Sequence, residues 1–399
     1  MLLNNALLLV LLVLAVAGGW TLGRSGLRMD MAGRAQLPSQ YYRGFNFLLD
    51  GEEEDAVDAF TEALAVNEET LDTHIALGSV LRKRGEVDRA IRMHQNLLKR
   101  PQLSVVQLHQ SHLELARDFI AAGLYDRAEQ LLVDLAAQSS EFSATAQRHL
   151  LDVYEAQRDW SAAVTIAEEL IARAESEGQS AAGHGQPAQQ LRGHYLCELA
   201  EHAIESGGYD AAKSFYEQAL RGQPQELRAL MGIVRCALKD GDGTLAMTYF
   251  SRMMGSGRRC TPEMLGLLRD VCSAESDSDV YLSSLQQYYD QQHSPLLALA
   301  LAEELAQQQG VEAARLFLRS TLDQYPSASV AASLALGGLE SEQARPERDV
   351  LDQLIRNDHG YQCDHCGFSG KTRHWRCPGC RHWDSLHYRG GALEQLNGR

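Results

Sequence analysis

The chain has 399 residues, 37 basic against 53 acidic side chains, and a formal net charge of -16. So acidic a chain repels nucleic acid over most of its surface, which argues against a nucleic-acid partner for its bulk. Richness in Ala, Leu, Gln and Glu, with only nine prolines, predicts an all-α chain.

Residues 6–22, ALLLVLLVLAVAGGWTL, form an almost unbroken apolar run. Their helical length of about 26 Å is at the short limit for crossing a hydrocarbon core of about 30 Å. A cleaved secretory signal is the competing reading, with Ala15-Val16-Ala17 as its cleavage site, but no Lys or Arg precedes the run. Arg24, Arg28, Arg34 and Arg43 follow it instead, and the positive-inside rule then keeps the C-terminal bulk in the cytoplasm. Residues 1–23 are therefore expected to be a single-pass transmembrane anchor and residues 24–36 a juxtamembrane linker.

From residue 37 to 349 the sequence repeats. The small residue of each second helix recurs as Ala56, Ala90, Ala128, Ala163, Ala212, Ala246 and Ala314, at spacings of 34, 38, 35, 49, 34 and 68 residues. A period near 34 is that of tetratricopeptide repeats, two antiparallel helices per unit. Five residues before the anchor stands a turn glycine, as Gly51, Gly85, Gly123, Gly207 and Gly241, which ends the first helix in a left-handed conformation. Twelve before it comes a small residue, Gly44, Gly78, Ala116 or Ala200, letting the helices approach. Four after it comes an apolar one, Phe60, Leu132, Tyr216, Phe250 or Leu318. His94 takes that slot in the second unit and is expected to be a satisfied interior side chain rather than a ligand. Pro224 and Pro326 close their units, and residues 260–339 are expected to continue as helix pairs of drifted register. The whole predicts a superhelix of about seven to nine pairs, with a mobile polar insertion near 175–190 and a linker at 337–348.

Each pair buries its apolar face only by stacking on neighbours, leaving a groove lined by first helices that suits peptide or protein segments. Such a scaffold supplies no nucleophile or general base. No His-Glu-x-x-His or Gly-x-Ser-x-Gly motif is present, and Gly370-Lys371-Thr372 lacks the upstream glycine of a phosphate loop, where His365 stands. His109 and His112, three apart on one helix, are expected to be a plain surface pair.

Residues 350–399 hold the chemistry. Cys363 and Cys366, then Cys377 and Cys380, form two knuckles that put four thiolates within reach of one tetrahedral ion, as in zinc ribbons and rubredoxin-type sites. The other four cysteines, Cys197, Cys236, Cys260 and Cys272, are scattered, as buried thiols are in a reducing compartment. From Gly360 on, six basic residues outnumber three acidic ones, so the ribbon carries +3 and the remainder -19. Phe368, Trp375, Trp383 and Tyr388 interleave the basic residues; they read either as the small core of the module or as a nucleotide-stacking platform.

An apolar N-terminus, helical repeats and the ending Tyr361-Gln362-Cys363-Asp364-His365-Cys366-Gly367-Phe368, then Trp375-Arg376-Cys377-Pro378-Gly379-Cys380 and Trp383, together resemble one family along the whole length. It is the lipopolysaccharide assembly protein B family of Gram-negative bacteria. The resemblance implies a rubredoxin-like module with Cys363, Cys366, Cys377 and Cys380 as ligands of one tetrahedral metal ion. Arg381 stands where a second knuckle glycine is usual and the spacer is shorter than in rubredoxins, so iron and zinc both remain open. It further implies a non-enzymatic adaptor at the bacterial inner membrane that presents an LpxC-type deacetylase to an FtsH-type membrane protease, beside other inner-membrane lipopolysaccharide assembly proteins. Two alternatives stand next to this: a non-proteolytic scaffold for lipopolysaccharide enzymes, and an RNA-binding regulator acting through the basic ribbon. A homo-oligomer is compatible with each.

Overall fold

A computed structural model describes residues 39–49, 71–100, 103–177, 182–183, 186–274, 278–338 and 360–390. The apolar run at 6–22, the first repeat anchor Ala56 and most of the linker at 337–348 lie outside the described residues. Among the described residues no helix is long and apolar enough to cross a membrane. The chain divides into two compact units, residues 1–128 and 129–399.

The first unit contains α1 Ser39–Leu49, α2 Leu71–Lys83, α3 Val87–Leu98 and α4 Val105–Ala121, and the boundary falls within α5 Tyr125–Gln138. The second continues with α6 Ser140–Gln157, α7 Trp160–Glu177, a hairpin β1 Ala182–Gly183 and β2 Gln186–Pro187, α8 Ala188–Glu205, α9 Tyr209–Gly222, α10 Leu227–Lys239 and α11 Gly243–Met254. Then come α12 Pro262–Ala274, α13 Ser278–Gln292, α14 Pro295–Gln309, α15 Val311–Gln324 and α16 Ala328–Gly338. From α2 to α15 these make seven helix pairs among the described residues, so the all-α repeat array predicted from the period is observed, including its drifted part after residue 260.

The period has a packing cause. Ala90, Ala128, Ala163, Ala212 and Ala246 have no exposed surface, because each sits where two helices touch and a larger side chain would force them apart. Leu132, Tyr216 and Phe250, four residues on, are likewise buried, each contributing about 1.5–3 kcal/mol. At the turn, Gly85, Gly123, Gly207 and Gly241 have φ between 72° and 85°. Arg158 takes the same slot before Ala163 at φ 59°, a residue with a Cβ where glycine is at ease. Ser139 caps α6 through the Phe142 N–H at 3.2 Å and Asp242 caps α11 through Leu245 at 2.9 Å, satisfying donors a helix start leaves open.

In the first unit His94 is interior, as expected, and only half satisfied. Its Nδ1 meets Asp118 Oδ2 at 2.5 Å, while its buried Nε2 has no hydrogen-bond partner. Arg82 joins the same group, 2.6 Å from Asp118 and 2.7 Å from Glu114. The imidazole lies against Gly78, where any Cβ would collide with it. His109 is buried on α4 rather than lying on the surface, because the partner helices cover the face that carries it.

The C-terminal ribbon is a three-stranded antiparallel sheet in the order β4-β3-β5, with β3 Tyr361–Cys363, β4 Ser369–Gly370 and β5 Leu386–Tyr388. Tyr361, Cys363, Cys377 and Leu386 form its small core, with Phe368, Cys380 and Tyr388 against them.

Candidate metal centre and its dock on the repeats

The two knuckles are built alike. Gly367 N–H bonds the Cys363 carbonyl and Arg381 N–H bonds the Cys377 carbonyl, both at 2.9 Å. Gly367 has φ 77° and Arg381 φ 62°, so the second knuckle makes the left-handed turn without the glycine that favours it. Cys363 N–H to the Phe368 carbonyl at 2.8 Å and Cys377 N–H to the His382 carbonyl at 2.9 Å complete the correspondence.

These turns bring all four predicted cysteines together. Their sulfurs lie within 4.8 Å of one another, with Cys363–Cys380 and Cys366–Cys377 at 3.7 Å. A tetrahedral ion with metal–sulfur bonds of about 2.3 Å needs sulfur–sulfur edges of about 3.8 Å, so the donor set fits. Tetrahedral sulfur suits zinc and iron alike. Burial disfavours the Cys363 thiolate, yet the Ser385 hydroxyl and the Cys366 and His365 backbones outweigh it and bring this thiol down to about 6. Burial and the neighbouring sulfurs push Cys380 up to about 12. Cys363 is thus the thiol readied as a thiolate, while Cys366, also raised, and Cys380 keep their protons until a cation joins them.

The ribbon does not stand alone. Trp383, 3% exposed, enters an aromatic slot of the array. It stacks on His194 at 5.2 Å and meets Trp160 and Tyr195 edge-on, each at 6.1 Å. Its indole N–H donates to Glu155 Oε1 at 3.0 Å, the oxygen that also accepts from Tyr195 OH at 2.6 Å. Arg376 pairs with the other Glu155 oxygen. Glu155, 4% exposed, is therefore a buried carboxylate neutralised by an arginine and two further donors from two parts of the chain.

Around this centre the contacts continue. Gln186, in the polar insertion, bonds both the N–H and the carbonyl of Trp383 at 3.1 Å. Tyr361 OH donates to Glu263 on α12, and burial together with that carboxylate raises its pKa. Arg258 reaches Asp384 at 3.2 Å and Arg373 holds the same carboxylate at 3.0 Å. Trp375 packs under Arg373 at 4.3 Å and Arg228 at 5.7 Å. Glu155, Tyr195, Arg228 and Glu263 lie on α6, α8, α10 and α12, the first helices of four successive pairs. The ribbon thus lies on the first-helix face of these four pairs, the face expected from the repeat pattern to line the groove.

Sequence reasoning found the cysteines and missed this dock. The aromatic residues that interleave the basic ones are Trp383 buried in the slot, Trp375 half-buried beneath two arginines, and Phe368 and Tyr388 half-buried against the ribbon core, so all four take part in packing. Glu155 carried no signal: a glutamate near the end of a helix reads as surface charge. A weak hint lay in Trp160 and Tyr195, large aromatics outside the repeat's own positions.

The family described as "Rubredoxin metal binding domain" matches residues 361–387, and tetratricopeptide repeat families match residues 73–103, 113–180 and 197–257. The chain is 30% identical over 389 residues to "Lipopolysaccharide assembly protein B" of Escherichia coli strain K12, covering 95% of this chain and 97% of that protein. To the protein of the same name from Haemophilus influenzae it is 29% identical over 398 residues, again with 95% and 97% covered. Among solved structures, a tetratricopeptide repeat protein from Parabacteroides merdae matches 67% of this chain and 98% of its own at 12% identity, TM-score 0.33.

Proposed function

Because this chain belongs to the lipopolysaccharide assembly protein B family, we propose that it is a membrane-held adaptor that tunes lipopolysaccharide synthesis by presenting an LpxC-type deacetylase to an FtsH-type membrane protease. Residues 1–23 serve as the anchor, residues 24–36 as the juxtamembrane linker, residues 37–349 as the repeat array on the cytoplasmic side, and residues 350–399 as the ribbon. Cys363, Cys366, Cys377 and Cys380 hold one ion, iron or zinc, which ties the knuckles together and performs no bond chemistry. With four protein ligands no coordination position is left open.

The observation that carries this reading is the Glu155-centred dock. An ion bound by the four cysteines would fix the loops that carry Arg376 and Trp383, and these two side chains grip the array. Metal occupancy thereby bears on the face of the first helices. The anchor adds local concentration near a membrane protease without adding any contact.

Replacing Cys363 and Cys366 with serine is expected to leave the protein in the membrane fraction while the deacetylase accumulates, read as its half-life after synthesis is blocked. An unchanged half-life overturns the adaptor role and favours a scaffold that gathers enzymes without destroying them. Removing residues 1–23 is expected to give a soluble protein that regulates poorly.

A further inference from the structure

The ribbon carries a second group of ligating side chains beside the four-cysteine centre. The His365 and His382 rings stack with centroids 3.6 Å apart and planes 19° from parallel. Their ligand atoms and the Cys380 sulfur all lie within 4.8 Å of one another. The other imidazoles among the described ribbon residues have oxygen partners: His387 meets Asp364 at 3.3 Å and His374 meets Thr372 at 3.4 Å. His365 and His382 instead face each other. The left-handed turn at Arg381 folds His382 back beside Cys380, and His365 comes from the opposite knuckle.

We propose that His365, His382 and the Cys380 thiolate form a second cation site, taking a borderline or soft transition cation such as Zn2+, Co2+ or Cu+. Mixed imidazole and thiolate donors select this class over Mg2+ or Ca2+. Two nitrogens on a tetrahedral ion with bonds of about 2.0–2.1 Å stand about 3.3 Å apart, inside the 4.8 Å that encloses the three ligand atoms, and the two rings turn out of their stack so that both lone pairs meet at the ion. A thiolate has lone pairs for two ions, so Cys380 can bridge. Four thiolates on one divalent ion leave a net charge of about -2, which draws a further cation to this corner. His365 is exposed and Cys380 and His382 half-buried, so the position is open to solvent and exchanges more readily than the four-cysteine centre.

The proposal rests on a ribbon folded around its own ion, and the test separates the two. Untagged full-length protein in detergent, stripped by chelator under reducing conditions, is titrated with Co2+ and followed by absorbance, with Zn2+ content measured in parallel. The first equivalent should give the sulfur-to-cobalt charge-transfer band of a four-thiolate site; a second should bind more weakly and leave first with a mild chelator. His365→Ala and His382→Ala should each weaken the second equivalent at least tenfold and leave the first band intact, while His374→Ala keeps both. The intact first band reports that each variant has folded, and exposed His365 is the decisive variant if His382→Ala loses it. Saturation at one equivalent in the unaltered protein, or a second equivalent indifferent to both substitutions, overturns the proposal. Absence of the first band in the unaltered protein overturns the four-cysteine assignment together with it.

Discussion

The repeats from residue 129 to 338 and the ribbon from 360 to 390 reach a fixed fold by different routes. The repeats bury one small residue and one large apolar residue per helix pair, again and again, so stability accumulates with length. The ribbon has a core of Tyr361, Leu386 and the cysteines themselves, too little apolar surface to stand without a cross-link. It is held from within by thiolates suited to a cation and from without by Glu155. The difference teaches that one unit can hold a self-sufficient part and a conditional part, joined by a few buried polar groups.

Removing the metal should separate the two most sharply. Structural zinc contributes about 10–16 kcal/mol to folding small modules, so chelation, or Cys363→Ser with Cys366→Ser, should unfold the ribbon entirely. Helical circular dichroism should change little while the near-ultraviolet signal of Trp375 and Trp383 is lost. Collapse of the helical signal would show that the array depends on the ribbon as well.

Glu155→Ala should release the ribbon without unfolding it. The change leaves the Trp383 N–H and the Arg376 guanidinium without their acceptor. With 28% of the Arg376 side chain exposed, the cost is at the lower end of that for a broken buried pair, about 3 kcal/mol. Hydrogen exchange should rise around Trp383 and Gln186 and stay unchanged in α14 and α15.

The dock should also respond to pH through Glu226, which lies 3.7 Å from His194. Burial, with Asp384 adding to it, lifts this carboxyl to about 7, against the pull of the Arg228 N–H and of Arg258 and Arg228. A carboxyl whose folded pKa is raised gives stability that is complete below its unfolded value of about 4.5 and lost as pH rises through about 7. His194 runs the other way: burial lowers it to about 4, so its contribution is complete above about 6.5 and lost as pH falls through about 4. In His194→Gln, stability should therefore fall from pH 5 to 8 by on the order of 2–3 kcal/mol, and adding Glu226→Gln should flatten that slope in denaturant titrations.

Gly78→Ala tests the array in the other unit. The new methyl would strike the His94 ring and should cost about 2 kcal/mol, lowering the melting temperature with no change in metal content. Smallest is Arg381→Gly. It relieves a left-handed backbone that costs about 1–2 kcal/mol but gives part of this back as chain entropy, so the ribbon should gain about 0.5–1 kcal/mol and retain its metal slightly longer against a chelator.

The sequence by itself determined the helix pairs, their turn and contact positions, and the four cysteines. A packed helix pair needs a small residue at one place and a left-handed residue at another, and a tetrahedral ion needs donors at fixed short spacing. Such demands are local or periodic and leave a mark in the residues. Arg158 and Arg381 show the limit of the marks: each makes the turn where glycine was looked for, because the surrounding hydrogen bonds fix the backbone. Only the tertiary structure decided that Glu155 would receive Arg376 and Trp383 across 221 and 228 residues, and Gln186 the same tryptophan across 197. Those contacts obey no period, and a glutamate that will be buried between two modules looks, in one dimension, like any glutamate on a helix.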